Sequence, residues 1–240
     1  MEGGSPECGE MATFSVLLLT ASPPGHGEAG GAYLKIDGRE SLLRAVEMFL
    51  NRDNVKQMQL VVPTATAEEA KRKYGANLGF SGVKLVAGGT KWIEQIQAGA
   101  KNISAECTHV IVHDAARPAV PYSDIESAMA AAESSDAVVL AAPIRTTLLE
   151  IDEGSSGLAY HLPSQFVQLQ TPQIYSLKVL EQIAQSGKEP HASALKIVKG
   201  SPLNVRLATG ADASFVRAML NMLPKPKTRA ASNPFDEAQW

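Results

Sequence analysis

The residues best placed to do chemistry lie between Thr108 and Pro118, in the stretch THVIVHDAARP. Its β-branched run, VIV, is long enough for a buried strand and too short for a helix. The strand pattern stops at His113 and Asp114, and ligands bind at the carboxyl ends of strands in open α/β sheets. A carboxylate in that place could hold Mg²⁺ through one oxygen while a substrate phosphate supplies others. Asp114 is therefore the candidate metal ligand.

The residues that follow Asp114 also suit a ligand. Ala115 and Ala116 are small, so their backbone N–H groups could approach a bound molecule closely. Arg117 could hold an anion, or lock the Asp114 carboxylate through a bidentate bond. The same spacing fits a strand followed by a turn in which Asp114 caps the next backbone N–H groups. On spacing alone, the two interpretations are equally supported.

The alternation of elements around this stretch predicts the architecture. Strands and helices alternate over residues 12–223, which indicates a mostly parallel sheet with helices on both faces. Segment 143–168 lacks this alternation and is interpreted as an extended excursion. The predicted strands are 14–19, 60–62, 83–86, 110–112, 137–142 and 203–207, and the predicted helices are 41–51, 66–74, 91–102, 124–132, 176–185, 192–199 and 211–223.

Two glycine-rich segments follow predicted strands. The first loop, TASPPGHGEAGGAY from Thr20 to Tyr33, could wrap phosphates with backbone N–H groups, with Gly25 and Gly27 as candidates. Its spacing matches neither GxGxxG nor the Walker pattern, so the signal is weak. The second segment, at the end of the third strand, contains Gly88 and Gly89.

Composition narrows the class of protein. With 240 residues, 45% of them hydrophobic, the chain suits one large α/β domain or two small ones. A net charge of −3 argues against a broad surface for nucleic acid or an anionic membrane. The two cysteines have no CxxC spacing and no apolar run spans a membrane, so we expect a cytoplasmic protein. We expect one domain over residues 12–223, with disordered tails at 1–11 and 224–240. The second tail contains Phe235 and Trp240, which could dock on a partner or on the domain itself.

The HDAARP motif with VIV before it closely resembles that of the 2-C-methyl-D-erythritol 4-phosphate cytidylyltransferases. Further stretches resemble the same family, in the family's order and at roughly its spacing, over about residues 12–223. They are YLKIDGRESLLRAV (33–46), AGG (87–89), LAAPIRTT (140–147), QTPQ (170–173) and ASAL (192–195).

This resemblance implies a Rossmann-like nucleotidyltransferase fold and transfer of CMP from CTP to 2-C-methyl-D-erythritol 4-phosphate, with release of pyrophosphate. It implies that CTP lies over the first loop and the double-glycine turn, with Mg²⁺ at Asp114. It also implies that the excursion 143–168 is an arm that embraces a second subunit in a homodimer. The family positions that are clearly retained are Asp114, Arg117, Gly88, Gly89 and Thr147.

The chain departs from the family where the family carries positive charge. The first loop has no Lys or Arg, and its family lysine position falls on Gly31. The second catalytic lysine position falls on Arg206, and Lys35 could share the face of Gly31 in an extended segment and reach inward. Arg206, Lys35 and Arg117 are thus the catalytic candidates. Other family positions also differ in this chain. The family's loop arginines fall among Ser22, Pro23 and Pro24, and its arm arginine falls near Pro163. Its acidic residue after the double glycine is Thr90, its serine is Gln95, and its acidic pair is Pro190 and His191.

Three functions follow from these observations. The chain could be a working cytidylyltransferase, a divergent relative that binds a nucleotide or phosphosugar but catalyses poorly or not at all, or an interaction protein. Nucleotidyl transfer depends mainly on positioning and charge stabilisation, and each missing cation commonly costs about 10³-fold. The missing charges favour weak or lost activity.

Overall fold

The chain folds around a seven-stranded sheet with helices on both faces. The computed structural model describes residues 12–25 and 30–223. Its helices are α1 (Ser41–Phe49), α2 (Ala67–Phe80), α3 (Trp92–Ala100), α4 (Tyr122–Ala132), α5 (Leu177–Ser186) and α6 (Gly210–Met222). Its strands are β1 (Phe14–Leu19), β2 (Lys35–Ile36), β3 (Arg39–Glu40), β4 (Val55–Pro63), β5 (Val83–Gly88), β6 (His109–Asp114), β7 (Ala137–Pro143), β8 (Leu148–Ile151), β9 (Gly157–His161), β10 (Val167–Ser176) and β11 (Lys196–Lys199).

The order of strands in the main sheet is β11-β7-β10-β6-β1-β4-β5. All neighbours are parallel except those of β10, which runs antiparallel to both β6 and β7. The chain moves outward from β1 to β4 and β5, and then returns to place β6 on the other side of β1. This reversal is the type of switch point at which open α/β sheets bind ligands. The predicted mostly parallel α/β architecture is confirmed.

The two faces of the sheet bury separate cores because side chains alternate along a strand. On β1, Val16 and Leu18 join the core beneath α1, α2 and α4, whereas Leu17 and Leu19 join the core beneath α3 and α5. All four side chains are fully buried. The apolar run of β1 is therefore explained by contact with helices on both sides.

Two predicted elements are wrong. Residues 192–199, predicted as a helix, form a 3-10 turn at Ala192–Ala194 followed by strand β11. The β-branched pair Ile197 and Val198 suits an edge strand, which pairs in parallel with β7.

Residues 203–207, predicted as a strand, form a loop that crosses the end of the sheet. Its backbone bonds to side chains and to another loop rather than to a strand ladder. The Asn204 carbonyl accepts from Arg117 Nη1 at 2.7 Å, and Leu207 N donates to the Ala116 carbonyl at 2.8 Å.

The excursion after β7 consists of a hairpin, β8–β9, that forms its own two-stranded sheet, and then the long strand β10. β10 carries the chain back between β6 and β7. Among the described residues, the structure contains no helix that is long and apolar enough to cross a membrane. The predicted tails, 1–11 and 224–240, lie outside the described residues.

Candidate active site

The candidate site lies at the switch point, where β1 and β6 end side by side. Leu19 and Asp114, the last residues of the two strands, are register partners. The first loop leaves β1 here, and the loop that carries Arg206 crosses above. The fold thus brings together three segments that are far apart in the sequence.

Asp114 is 1% exposed and both of its carboxylate oxygens are engaged. Oδ1 accepts the Ala116 N–H at 2.9 Å, and Oδ2 accepts Arg206 Nε at 2.7 Å. Arg117 Nε lies 4.0 Å from Oδ2. Arg206 also donates through Nη2 to Ser22 Oγ at 2.5 Å, so its guanidinium connects Asp114 to the first loop.

Burial and charge act in opposite directions on this cluster. Burial raises the pKa of Asp114, and the Arg206 guanidinium opposes that rise because it stabilises the charged carboxylate. Burial likewise lowers the pKa of Arg117, and Asp114 opposes that change. We therefore describe the cluster as one carboxylate held between two guanidinium groups.

Arg117 holds the loop that carries Arg206. Its side chain is 1% exposed, and Nη1 donates to the Asn204 carbonyl at 2.7 Å. Asn204 Nδ2 in turn donates to the Thr171 carbonyl at 2.8 Å. The predicted bidentate bond to Asp114 does not form. With this burial and these partners, Arg117 is a positioning residue, and its assignment as a catalytic residue is not supported by the geometry.

His113 takes part in a buried chain of hydrogen bonds. The Asp114 N–H donates to Thr171 Oγ1 at 3.1 Å, which lies 3.0 Å from His113 Nδ1, and His113 Nε2 lies 3.0 Å from the Arg117 carbonyl. Because a carbonyl only accepts, Nε2 carries the proton and Nδ1 accepts from Thr171. Burial lowers the pKa of His113 to about 3, so the imidazole is neutral. The chain fixes β6 against β10.

The backbone N–H groups expected to face a ligand are already used. Ala115 N donates to the Leu19 carbonyl at 2.9 Å, and Ala116 N donates to Asp114 Oδ1. The interpretation of Asp114 as a turn cap is thus correct for Oδ1. Ala115 contributes small size and close packing rather than a free donor.

Gly31, at the position of the family's first lysine, has no room for a side chain. A Cβ built there would overlap the Leu207 carbonyl oxygen and would lie 2.9 Å from the Ala116 Cβ. The loop that carries Arg206 therefore occupies the space into which a residue at position 31 would project.

The double glycine is required by packing around the end of β5. A Cβ on Gly88 would lie 2.9 Å from Val61 Cγ1. A Cβ on Gly89 would overlap Glu94, whose Oε2 accepts the Lys91 N–H at the start of α3. This turn lies across β4 from the end of β1.

The remaining predicted site residues lie apart from Asp114 or outside the described residues. Lys35 is exposed on β2 opposite Glu40, and within residues 12–25 and 30–223 no hydrogen bond or ion pair joins it to Asp114, so the expected inward reach is not observed. Thr147 is exposed just before β8. Gly25 is an exposed loop residue with φ of 76°, which glycine adopts without strain. Gly27 lies outside the described residues.

The residues around Asp114 do not fit a divalent cation held by the protein. Mg²⁺ needs free oxygen ligands, whereas both Asp114 oxygens accept hydrogen bonds and a guanidinium lies where an ion on Oδ2 would sit. Within the described part of the chain, no group of three or more His, Cys, Asp or Glu side chains could hold a metal.

Three residues of the site were missed by sequence reasoning as functional candidates: Thr171, Asn204 and Gln95. Thr171 lies in the QTPQ stretch, and the resemblance of that stretch to the family is the only signal in the sequence that points to its hydroxyl. Asn204 carries no local signal, because its role depends on the crossing loop. Gln95 has a signal in the sequence only as a departure from the family's serine, and the structure shows that it is a fully buried polar side chain that must be hydrogen-bonded.

Comparison with known proteins gives one consistent family. Residues 25–222 match the family described as IspD: 2-C-methyl-D-erythritol 4-phosphate cytidylyltransferase. Two curated proteins of that name, from Halalkalibacterium halodurans and Rhodopirellula baltica, are each 27% identical to this chain. The alignments cover 86% and 88% of this chain, respectively, and 96% of each relative.

Solved structures support the fold. A 4-diphosphocytidyl-2C-methyl-D-erythritol synthase from Anaerococcus prevotii superposes with a TM-score of 0.72 at 18% identity, over 88% of this chain and 96% of that one. The 2-C-methyl-D-erythritol 4-phosphate cytidylyltransferase of Thermus thermophilus gives a TM-score of 0.67 at 22% identity, over 86% of this chain and 98% of that one. The Rossmann-like nucleotidyltransferase fold is confirmed.

Proposed function

The chain belongs to the IspD family of 2-C-methyl-D-erythritol 4-phosphate cytidylyltransferases, and on that premise we propose that it transfers CMP from CTP to 2-C-methyl-D-erythritol 4-phosphate at a low rate. In this reaction an oxygen of the acceptor phosphate attacks the α-phosphorus of CTP. The bond from that phosphorus to the β-phosphate oxygen breaks, and pyrophosphate leaves.

The observation that carries the proposal is the Arg206 guanidinium, which lies between Asp114 and Ser22 at the switch point. It puts a positive charge beside the first loop, where phosphates of a nucleotide would lie. Arg117 and Asp114 position this charge through the buried cluster. A guanidinium can stabilise the negative charge that develops on departing pyrophosphate.

The low rate follows from the lack of positively charged side chains in the first loop. From Thr20 to Ala32 the sequence contains no Lys or Arg, and Gly31 has no room for either. Arg206 supplies a charge, but not the compact geometry of a lysine ammonium. Fixed positive charge matters most in the transition state, so binding is retained better than turnover.

Pyrophosphate release from CTP and 2-C-methyl-D-erythritol 4-phosphate tests this function directly. We expect a rate orders of magnitude below the typical enzyme value of about 10 per second. A rate of pyrophosphate release typical of enzymes would contradict the proposed low activity. The absence of product with every nucleotide would contradict the assigned reaction.

A second candidate function is a binding protein for a nucleotide or phosphosugar without catalysis. The observation in its favour is that the Asp114 oxygens and the Ala115 and Ala116 N–H groups all have partners within the protein. CTP binding by calorimetry without any product would support it.

For either function we propose that the protein is cytoplasmic, and the support is that Cys107 is buried as a free thiol.

The Arg206 position makes a prediction about Mg²⁺. We expect wild-type CTP affinity to change less than about threefold between Mg²⁺ and EDTA, because a guanidinium already occupies Asp114 Oδ2. The change Arg206→Gln frees that oxygen and removes a charge, so its CTP binding should be weaker in EDTA and recover with Mg²⁺. Titration calorimetry under both conditions measures this.

The matched control is Arg217→Gln, which removes an exposed arginine that pairs with Asp37. It should leave CTP affinity unchanged in both buffers. If the wild type lost CTP binding in EDTA and Arg206→Gln did not change CTP affinity, Asp114 would have to be a metal ligand.

We also propose a homodimer in which a second copy of this chain covers the arm hairpin β8–β9. The hairpin exposes large apolar side chains on its separate two-stranded sheet, namely Leu149, Ile151, Leu158 and Tyr160, and Leu162 is exposed directly after β9. Leu149 and Tyr160 are direct cross-strand partners, and Tyr160 is 82% exposed. A contiguous apolar surface of this kind is typical of a protein interface.

Light scattering at micromolar concentration should show a dimer for the wild type and a shift toward monomer for Tyr160→Glu. A charge at the centre of the apolar surface disfavours its burial. Phe80→Glu is the control, because Phe80 is 97% exposed on α2, away from the hairpin. A monomeric wild type would rule out the dimer, and dissociation by Phe80→Glu would place the interface elsewhere.

A further inference from the structure

The carboxamide of Gln95 joins the end of β1 to the double-glycine turn. Its Oε1 accepts the N–H groups of Thr20 at 2.9 Å and Ala21 at 3.0 Å. Its Nε2 donates to the Gly89 carbonyl at 3.1 Å and to Thr20 Oγ1 at 3.3 Å. All four hydrogen-bonding positions of the amide are thus used, and the side chain is fully buried.

The backbone groups that Gln95 satisfies form a recognition surface at the carboxyl ends of β1 and β5. Two N–H donors lie beside one carbonyl acceptor, and they face the same side chain. Such a set matches a ligand edge that presents an acceptor next to an amino group. The Watson–Crick edge of cytosine presents this pair, with O2 and N3 as acceptors and the N4 amino group as donor. Uracil replaces the amino group with a carbonyl, which would oppose the Gly89 carbonyl.

We propose that Gln95 occupies the subsite for the base of a cytidine nucleotide, so that its carboxamide takes the hydrogen bonds that cytosine would otherwise make. The inference rests on the proposed function for the class of nucleotide, and on the four hydrogen bonds for the subsite. A nucleotide then binds the wild-type protein through its phosphates at Arg206, and its base makes no hydrogen bonds in the subsite that Gln95 fills.

A smaller residue at position 95 exposes this surface. The change Gln95→Ser removes the carboxamide and leaves the Ala21 N–H group and the Gly89 carbonyl without their partner, whereas the Thr20 N–H keeps its second acceptor, the Val61 carbonyl at 3.2 Å. Buried backbone groups without partners are unfavourable, so a ligand that restores the bonds is favoured. Cytosine can bond to both of these groups and again share the Thr20 N–H, whereas uracil cannot satisfy the Gly89 carbonyl with an amino group.

The test measures binding of cytidine and uridine, two nucleosides without phosphates, to the wild type, Gln95→Ser and Gln97→Ser. Gln97 is the matched control, because it lies on the same helix and its Nε2 donates to the Ala184 carbonyl rather than to the β1 end. Ligand-observed NMR gives the dissociation constants, and the thermal midpoint gives an independent readout. We expect Gln95→Ser to bind cytidine at least about tenfold more tightly than the other two proteins and to prefer it over uridine about tenfold.

Equal cytidine affinity in the wild type and Gln95→Ser, within threefold, would overturn the inference, as would equal affinity of Gln95→Ser for uridine. If Gln95→Ser does not fold, Gln95→Asn serves instead, because it keeps an amide but shortens it by one methylene. The wild type alone is also decisive, since discrimination of cytidine from uridine by about tenfold would contradict an occupied subsite.

The nucleoside assay separates this inference from the proposed function. Cytidine binding gained by Gln95→Ser without pyrophosphate release by any variant would support the occupied base subsite and reject the transferase. Pyrophosphate release by the wild type without such a gain would do the reverse.

Discussion

Asp114→Ala should lower the free energy of unfolding by about 3–5 kcal/mol, because it leaves buried positive charge without its partner. Arg117 is 1% exposed and lies 4.0 Å from the lost carboxylate oxygen, and Arg206 loses a 2.7 Å bond. Urea unfolding followed by circular dichroism measures the change. The side chain expected to hold a metal is thus a structural counter-charge instead.

Two companion variants separate the causes. Asp114→Asn keeps an oxygen for the Ala116 N–H but removes the charge, so we expect an intermediate loss. Glu47→Ala removes an exposed carboxylate that pairs with Arg39 and should cost at most about 1 kcal/mol. A loss at Asp114 no larger than at Glu47 would show that the buried cluster does not stabilise the fold.

Gly31→Ala is expected to destabilise the protein by about 3 kcal/mol, the upper part of the usual range for overpacking, since one added methyl group must displace the backbone of another segment. The Cβ would overlap the Leu207 carbonyl oxygen, whose residue also donates its N–H to the Ala116 carbonyl. Movement of that loop would carry Arg206 away from Asp114, so CTP affinity should fall with stability. Chemical unfolding and calorimetry on the same preparation measure both effects.

Gly79→Ala is the matched control, because the same methyl group is added in α2 with no atom within 4 Å. Gly79 lies in the last turn of α2, where alanine is still a better helix former than glycine, so this variant should be at least as stable as the wild type. Equal effects at the two glycines would mean that position 31 can accept a side chain. A lysine there could then serve the first loop after all.

The local pattern of the sequence was sufficient for five of the seven strands of the main sheet, β1, β4, β5, β6 and β7, and for the place of Asp114. Apolar β-branched runs such as VIV and the FSVLLL of β1 are typical of buried strands, and they formed β6 and β1. A strand followed by HDAARP puts a carboxylate at a strand end in any α/β sheet. The ordered set of motifs from YLKIDGRESLLRAV to ASAL identified the family, which the match over 25–222 confirmed.

The two wrong elements show where local pattern failed. The alanines before KIVK predict a helix over 192–199, but the edge of β7 offers a partner and favours the strand β11. Leu203, Val205 and Leu207 alternate as in a strand, yet the intervening Asn204 carbonyl is held by the buried Arg117 guanidinium. In both segments, hydrogen bonds to a distant part of the chain determined the backbone conformation, and local secondary-structure propensity did not.

The state of the site was decided only by tertiary structure. The sequence showed that cations were missing from the first loop, and it offered Lys35 and Arg206 in their place. Only the fold puts Arg206 on Asp114, Gln95 on the end of β1 and the Leu207 carbonyl against Gly31. Each of these contacts joins residues more than 70 positions apart, and side-chain reach across such separations is fixed by the packing of whole elements, which periodicity along the chain does not encode.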